Sequence, residues 1–197
     1  QSAENCYGRS GGGTGGIETR HDGGSYGLEP GSRGSEGHAT RDQTMTRLVM
    51  IRHATTAWNE ARRLQGRTDI ALSAKGWAEV ANWRLPAEVA DGRWVSSPML
   101  RAVQTARALG AWKLSCEPRL VEMHWGEWEG RTLDELRLND PQYMTEVEAR
   151  GLDFSAPGGE SPRDLQERLA PWLREIAAEK GTVISVCHKG IVRALFA

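Results

Sequence analysis

Two apolar runs organise the chain, and each ends on a histidine. Leu48-Val49-Met50-Ile51 leads into Arg52-His53, and Val183-Ile184-Ser185-Val186-Cys187 leads into His188. Both runs are too short to span a bilayer, and short continuous apolar runs of this kind read as fully buried strands of a parallel sheet. The stretches between them carry helical spacing. A strand over 47–52 is followed by a short helix near 56–64. Ser73 serves as N-cap to a second helix, with Trp77, Val80, Ala81 and Arg84 at helical intervals. A strand over 93–97 gives way at Pro98 to a helix with Leu100, Val103, Ala106 and Leu109 on one face and Gly110 as its stop. A weaker strand covers 113–117. Thr132-Leu133-Asp134-Glu135 is a capping box for a small helix. Ser161-Pro162 opens a longer one whose apolar face is Leu165, Leu169, Trp172, Leu173 and Ile176, with Pro171 expected to kink it or delay its start. Gly181 ends that helix, and 182–187 is the last strand.

Strands alternating with helices give an α/β fold: a three-layer α/β/α sandwich around a mostly parallel sheet. Ligands of such sheets bind at the carboxyl ends of the strands. The two histidines, far apart in sequence, are therefore expected to converge on one pocket. About two turns of helix remain after His188, so the domain reads as truncated at its C-terminal end.

Composition divides the chain in two. Residues 1–46 hold 12 of the 23 glycines and none of the eight tryptophans. Residues 1–45 read as a disordered glycine-rich tail, because they offer too little apolar surface to offset ordering. They contain neither the apolar core of a secretory signal nor an arginine-rich, acid-poor transit sequence. Met45 supplies an alternative natural start, so whether the tail is native stays open. Residues 46–197 form the folded domain. Its charges nearly balance, which gives no reason to expect nucleic acid or an anionic membrane as a partner. Cys6, Cys116 and Cys187 fit neither a zinc spacing nor a disulfide framework, so the expected compartment is a reducing cytoplasm. No apolar run reaches the ~18 residues of a membrane span.

Three segments carry candidate chemistry. At the first strand end, Arg52 can fork onto a phosphate or carboxylate, and His53 can act as nucleophile or base. In Ser96-Ser97-Pro98-Met99-Leu100-Arg101-Ala102-Val103-Gln104-Thr105-Ala106, Arg101 falls in the first helical turn, where the macrodipole favours an anion. Glu122 to Gly130 is a loop of aromatics, glycines and three acids. Spacing does not choose among Glu122, Glu127 and Glu129, and His124 reads as a packing residue.

Taken in order, these segments resemble the histidine phosphatase superfamily, the phosphoglycerate-mutase-like proteins. Arg52-His53-Ala54-Thr55-Thr56-Ala57-Trp58-Asn59 is similar to its Arg-His-Gly signature, and Gln65-Gly66-Arg67-Thr68-Asp69-Ile70-Ala71-Leu72 to its next block. Ser96 through Ala106, the Glu122 loop, Pro157-Gly158-Gly159-Glu160-Ser161 and Val186-Cys187-His188-Lys189-Gly190 follow the remaining ones. The resemblance covers 46–197. It implies a phosphoglycerate-mutase-like fold and makes His53 the nucleophile that forms a phosphohistidine. Arg52, Arg101 and His188 would bind the transferring phosphoryl oxygens, with Asn59, Gln65 and Gly66 as further phosphate or substrate contacts. Glu122 would protonate the leaving oxygen and later deprotonate water.

The chemistry sets expectations of its own. Two guanidiniums and a protonated imidazole can supply the charge that a metal supplies elsewhere, so no metal or cofactor is required. His53 must be neutral at its attacking nitrogen, with the other nitrogen on a fixed acceptor such as a backbone carbonyl. Glu122 must have a raised pKa. Ala54 stands where the family has glycine. If that position needs a positive φ, alanine costs ~1 kcal/mol, and tolerance is expected. The implied partner is a small phosphorylated metabolite, with sugar phosphates, phosphoglycerates and α-ribazole phosphate as candidates. A homodimer is the assembly left open. The leading activity is phosphomonoester hydrolysis. The alternatives are mutase-type transfer and a non-catalytic relative that binds a phosphorylated ligand or a protein.

Overall fold

The computed structural model describes residues 45–196, so all but the last residue of the expected disordered tail lies outside the described residues. Four strands form one parallel sheet: β1 (Thr46–Arg52), β2 (Arg93–Ser96), β3 (Leu114–Cys116) and β4 (Gly181–Cys187), in the order β1-β4-β2-β3. Register places Arg52 opposite Cys187 and Ser96 opposite Val186. The strands therefore end at one level, with His53, Ser97 and His188 each a residue beyond it. That alignment makes a site at the carboxyl edge of the sheet.

The period-2 alternation of β4 decides the layers. Val183 and Cys187 face one side, in a core with Val95, Leu120 and the apolar faces of α6 (Pro162–Ala177) and α7 (Lys189–Ala194). Val186 faces the other side, with Leu114 and Ala102, Val103 and Ala106 of α3 (Leu100–Ala108). The result is three layers. The central strand β4 is buried along five successive residues. β1 departs from the expectation of a fully buried strand: it lies at the sheet edge, and none of its side chains is fully buried.

Local signals explain most of the helices. Thr56, Ser73, Thr132 and Ser161 each cap a helix through the side-chain oxygen. The helix expected near 56–64 is shorter: α1 spans Ala57–Glu60, because Arg62 takes a left-handed φ of 55° and ends it. α2 (Ala74–Ala81) and α4 (Leu133–Asn139) follow their caps. α6 runs unbroken from Pro162 through Pro171, against the expected kink or delayed start. Pro171 and Glu167, whose carbonyl loses its donor, both lie on the exposed side, where water serves instead. The sequence reading has no counterpart for α5 (Pro141–Glu148). Its signal was present, since Asp140 closes α4 and its carboxylate accepts from Tyr143 N at 3.0 Å, with Pro141 at the first helical position. Leu136, Met144, Val147, Ala156 and Trp128 form a separate small core under this pair.

Cys187 is a buried free thiol, and Cys6 lies outside the described residues. Among the described residues, no helix is long and apolar enough to cross a membrane.

Candidate active site

Helix α3 assembles the site. Arg101, Gln104 and Thr105 lie three and four residues apart, on one helix face, and together reach two connections, the one after β1 and the one between residues 61 and 73. Arg101 Nη1 donates to the Thr68 carbonyl at 2.9 Å and Nη2 to the Gly66 carbonyl at 2.8 Å. Gln104 Oε1 accepts from Leu72 N at 2.8 Å, and Thr105 Oγ1 accepts from Ala54 N at 3.0 Å. The loops after β1 are thus stapled to the helix after β2. Arg101 is fully buried and its Nε has no partner in the protein. The anion expected at this helix start is supplied within the chain, because Asp69 Oδ1 accepts from Leu100 N at 2.8 Å.

One cavity of about 450 Å³ brings together Arg52, His53, Asn59, Gln65, Gly66, Arg101 and Glu122. His188 is fully buried beside it, its ring centroid 5.2 Å from that of His53. The structure therefore gathers every residue that the sequence nominated. Arg52 is exposed at the strand end and faces the cavity. Asn59 commits its carbonyl to the α1 capping box, accepting from Thr56 N at 3.1 Å, and keeps its amide nitrogen. The buried Gln65 carbonyl oxygen has no partner, a polar group available to a ligand.

The histidines are held differently. His53 Nδ1 lies 2.8 Å from the Ala54 carbonyl, an acceptor only, so Nδ1 carries the hydrogen and Nε2 the free lone pair. Burial pushes its pKa down to about 3, with Arg101 and Arg52 adding to the shift. His188 Nε2 is 2.8 Å from Ser97 Oγ, and its Nδ1 is buried without a partner. Burial, then Arg101 and His53, hold its pKa well below the usual imidazole range. Desolvation of the fully buried ring thus favours its neutral form in the ligand-free protein, against the charge that the sequence reading assigns it beside a phosphoryl group.

Glu122 is selected among the three acids by burial. Its carboxylate accepts from Met123 N at 2.9 Å and Gly190 N at 3.2 Å. Burial nevertheless outweighs these bonds and raises its pKa. Gly190 allows this approach, since a Cβ there would overlap Glu122 Oε1. Glu129 has another task. It accepts from Arg67 N at 2.8 Å and from Thr68 N at 2.9 Å, which fixes the loop whose carbonyls hold Arg101. Gly66 sits under this clamp with φ +52°, and a Cβ would collide with the carboxylate. Sequence reading gave Ser97 no role and left Glu129 as one of three candidate acids. Ser97 stands in the same motif as Arg101, one residue past its strand, which was a usable signal. Ala54 is not among the residues with positive φ, and its methyl packs with Leu72 and Val80, so the backbone there imposes no penalty on alanine.

Fold and site together define an α/β enzyme with a pair of buried histidines, two convergent arginines and a protonatable carboxyl at the strand ends. The chain belongs to the histidine phosphatase superfamily, branch 1, whose family model matches residues 48–197. It is 34% identical over 171 residues to a glucosyl-3-phosphoglycerate phosphatase of Mycolicibacterium vanbaalenii, covering 77% of this chain and 72% of that one. It is 35% identical over 177 residues to a bifunctional protein of Mycobacterium tuberculosis, covering 84% of this chain and 46% of that one, so it spans under half of that relative. Among solved structures, a protein of Thermus thermophilus superposes with a TM-score of 0.62 at 36% identity, covering 75% of this chain and 81% of that one.

Proposed function

We propose that the chain hydrolyses a small phosphomonoester through a phosphohistidine on His53, with no metal in the reaction. The observation that carries this reading is the fixed tautomer of His53, with Nδ1 on the Ala54 carbonyl and a free Nε2 lone pair, in one cavity with the buried carboxyl of Glu122. In the first step Nε2 attacks phosphorus, the P–O ester bond breaks, and protonated Glu122 gives its proton to the leaving oxygen. In the second, water attacks phosphorus while the Glu122 carboxylate takes a proton from it. The P–N bond then breaks, releasing phosphate and restoring His53. The raised pKa of Glu122 suits the first role, and the lowered pKa of His53 keeps the nucleophile unprotonated.

Arg52 and Arg101 supply the positive charge for the transferring oxygens. Arg101 is held by carbonyls rather than by a carboxylate, so its charge is left for the phosphoryl group. His188 contributes as a neutral donor. In this reading the Ser97 hydroxyl, which accepts from Met99 N at 3.3 Å, donates to His188 Nε2 2.8 Å away, and the imidazole hydrogen sits on the unpartnered Nδ1, where it serves a phosphoryl oxygen. The phosphatase name of a relative at 34% identity favours hydrolysis over transfer to a second position.

The test is p-nitrophenyl phosphate turnover in EDTA, wild type beside His53→Ala, with ³¹P NMR of the acid-labile adduct after rapid quench at high pH. The expected result is turnover and a phosphohistidine signal, both lost in the variant. Turnover that survives His53→Ala sinks the mechanism.

A further inference from the structure

The cavity has a second side that phosphate chemistry does not need. Leu133 at the start of α4, Leu152 in the turn Gly151–Asp153, and Phe154 line it together with Trp125 and Leu165. Every side chain contributed by the stretch 125–165 is aromatic or aliphatic, whereas the charged lining, Arg62, Arg63, Lys189 and Arg193 among it, comes from other segments. The aromatics are pre-set. Trp125 stacks on the buried Trp128 with ring centroids 6.2 Å apart at 19°, and leans on Phe154 at 5.8 Å and 34°. Trp125 and Phe154 are only partly buried, and their cavity edge is the surface they leave uncovered. Leu133 is 37% exposed, although Leu136 one turn later is buried in the core beneath.

Such a wall discriminates among alcohols. Hydroxyls pressed against Trp125, Leu152 and Phe154 would lose hydration to side chains that form no hydrogen bond with them in return, an expensive exchange. A flat apolar ring would gain contact area and stack beside Trp125. We propose that the phosphomonoester taken by this chain has an alcohol part with a flat apolar face, an aryl group or a ring bearing one, seated against Trp125, Leu152 and Phe154. This rests on the hydrolytic reading above for the position of the phosphoryl group.

The test separates the two. Non-hydrolysable phosphonates report binding whether or not turnover occurs, so 2-phenylethylphosphonate and 3,4-dihydroxybutylphosphonate are titrated calorimetrically into the wild-type protein. The phenyl compound is expected to bind at least about tenfold tighter, the scale on which pockets discriminate apolar groups. Leu152→Asn and Leu133→Asn should each narrow that ratio by roughly threefold or more while thermal unfolding reports that the fold is kept. Equal or tighter binding of the dihydroxy compound overturns the proposal, as does a ratio that neither variant moves. A preference for the phenyl compound without p-nitrophenyl phosphate turnover upholds the wall and overturns the reaction instead.

Discussion

The two sides of the cavity are held by different physics. The side bearing His53, Arg52, Arg101 and Glu122 is built from strand ends and backbone hydrogen bonds: His53 N donates to the Cys187 carbonyl at 2.9 Å, Ser97 N to the Val186 carbonyl at 2.9 Å, and Arg101 to two loop carbonyls. The opposite side rests on two short helices, two 3₁₀ turns and a small apolar cluster around Met144 and Val147. Directional bonds fix the first side to within a fraction of an ångström, as charge stabilisation demands. Packing fixes the second side more loosely, which suits recognition of shape. Rate should therefore depend on the first side and ligand choice on the second.

The largest effect expected is from Arg101→Met. It removes a buried charge and leaves the Gly66 and Thr68 carbonyls without donors. Turnover of p-nitrophenyl phosphate should drop by about 10³, and unfolding free energy in urea by about 2–4 kcal/mol. An intact rate would break the contrast between the two sides. Glu122→Gln should lower turnover by about 10²–10³. Wild-type kcat/KM should fall as pH rises through the raised pKa of Glu122, and this alkaline limb should vanish in the variant. An unchanged limb would assign the titration elsewhere.

Ser97→Ala sharpens the comparison from within. Without the hydroxyl, the His188 tautomer is no longer fixed, and turnover should fall about tenfold to a hundredfold. ¹⁵N shifts of the His188 ring should move from a single tautomer toward a mixture, a signature that a merely structural loss of packing would not give. On the other side, Met144→Ala opens a hole in the small core and should cost about 2–4 kcal/mol in urea unfolding. KM for aryl phosphates should respond more than kcat; the reverse pattern would contradict the division of labour.

The smallest effect concerns pH and stability. The pKa of His53 falls from 6.5 in the unfolded chain to about 3 in the folded one, and that of His188 shifts the same way. Between those values the unfolded chain binds more protons, so these groups make stability rise with pH. Their contribution is complete above about 6.5 and is lost progressively as pH falls toward 3. Glu122, shifted upward, acts oppositely, losing stability as pH rises above the normal carboxylate range. Thermal midpoints should climb between about pH 4 and 6, and His53→Asn should flatten that climb. An unchanged slope would mean that His53 is not held neutral by burial.

How much was legible follows the same division. The motif around Arg101 could be read because helical spacing places Arg101, Gln104 and Thr105 on one face. His53 and His188 could be read because strands with a common direction end at a common edge. Glu122 could not be separated from Glu127 and Glu129 by spacing, since burial rather than position distinguishes it. The pKa shift of His188 was out of reach for the same reason: a sequence shows an imidazole but not the desolvation around it. Helix α5 went unread although Asp140-Pro141 announced it, because its apolar face is brief: Met144 and Val147 alone are fully buried.

By itself, then, the sequence determined the α/β layering and the strand ends at which the candidate residues meet, because local periodicity and capping are written in residues close together in the chain. The tertiary structure alone decided which acid is buried, which imidazole nitrogen is free, and that residues 125–165 turn an apolar face to the nucleophile. Those depend on desolvation and on contacts between segments dozens of residues apart, which no local pattern encodes.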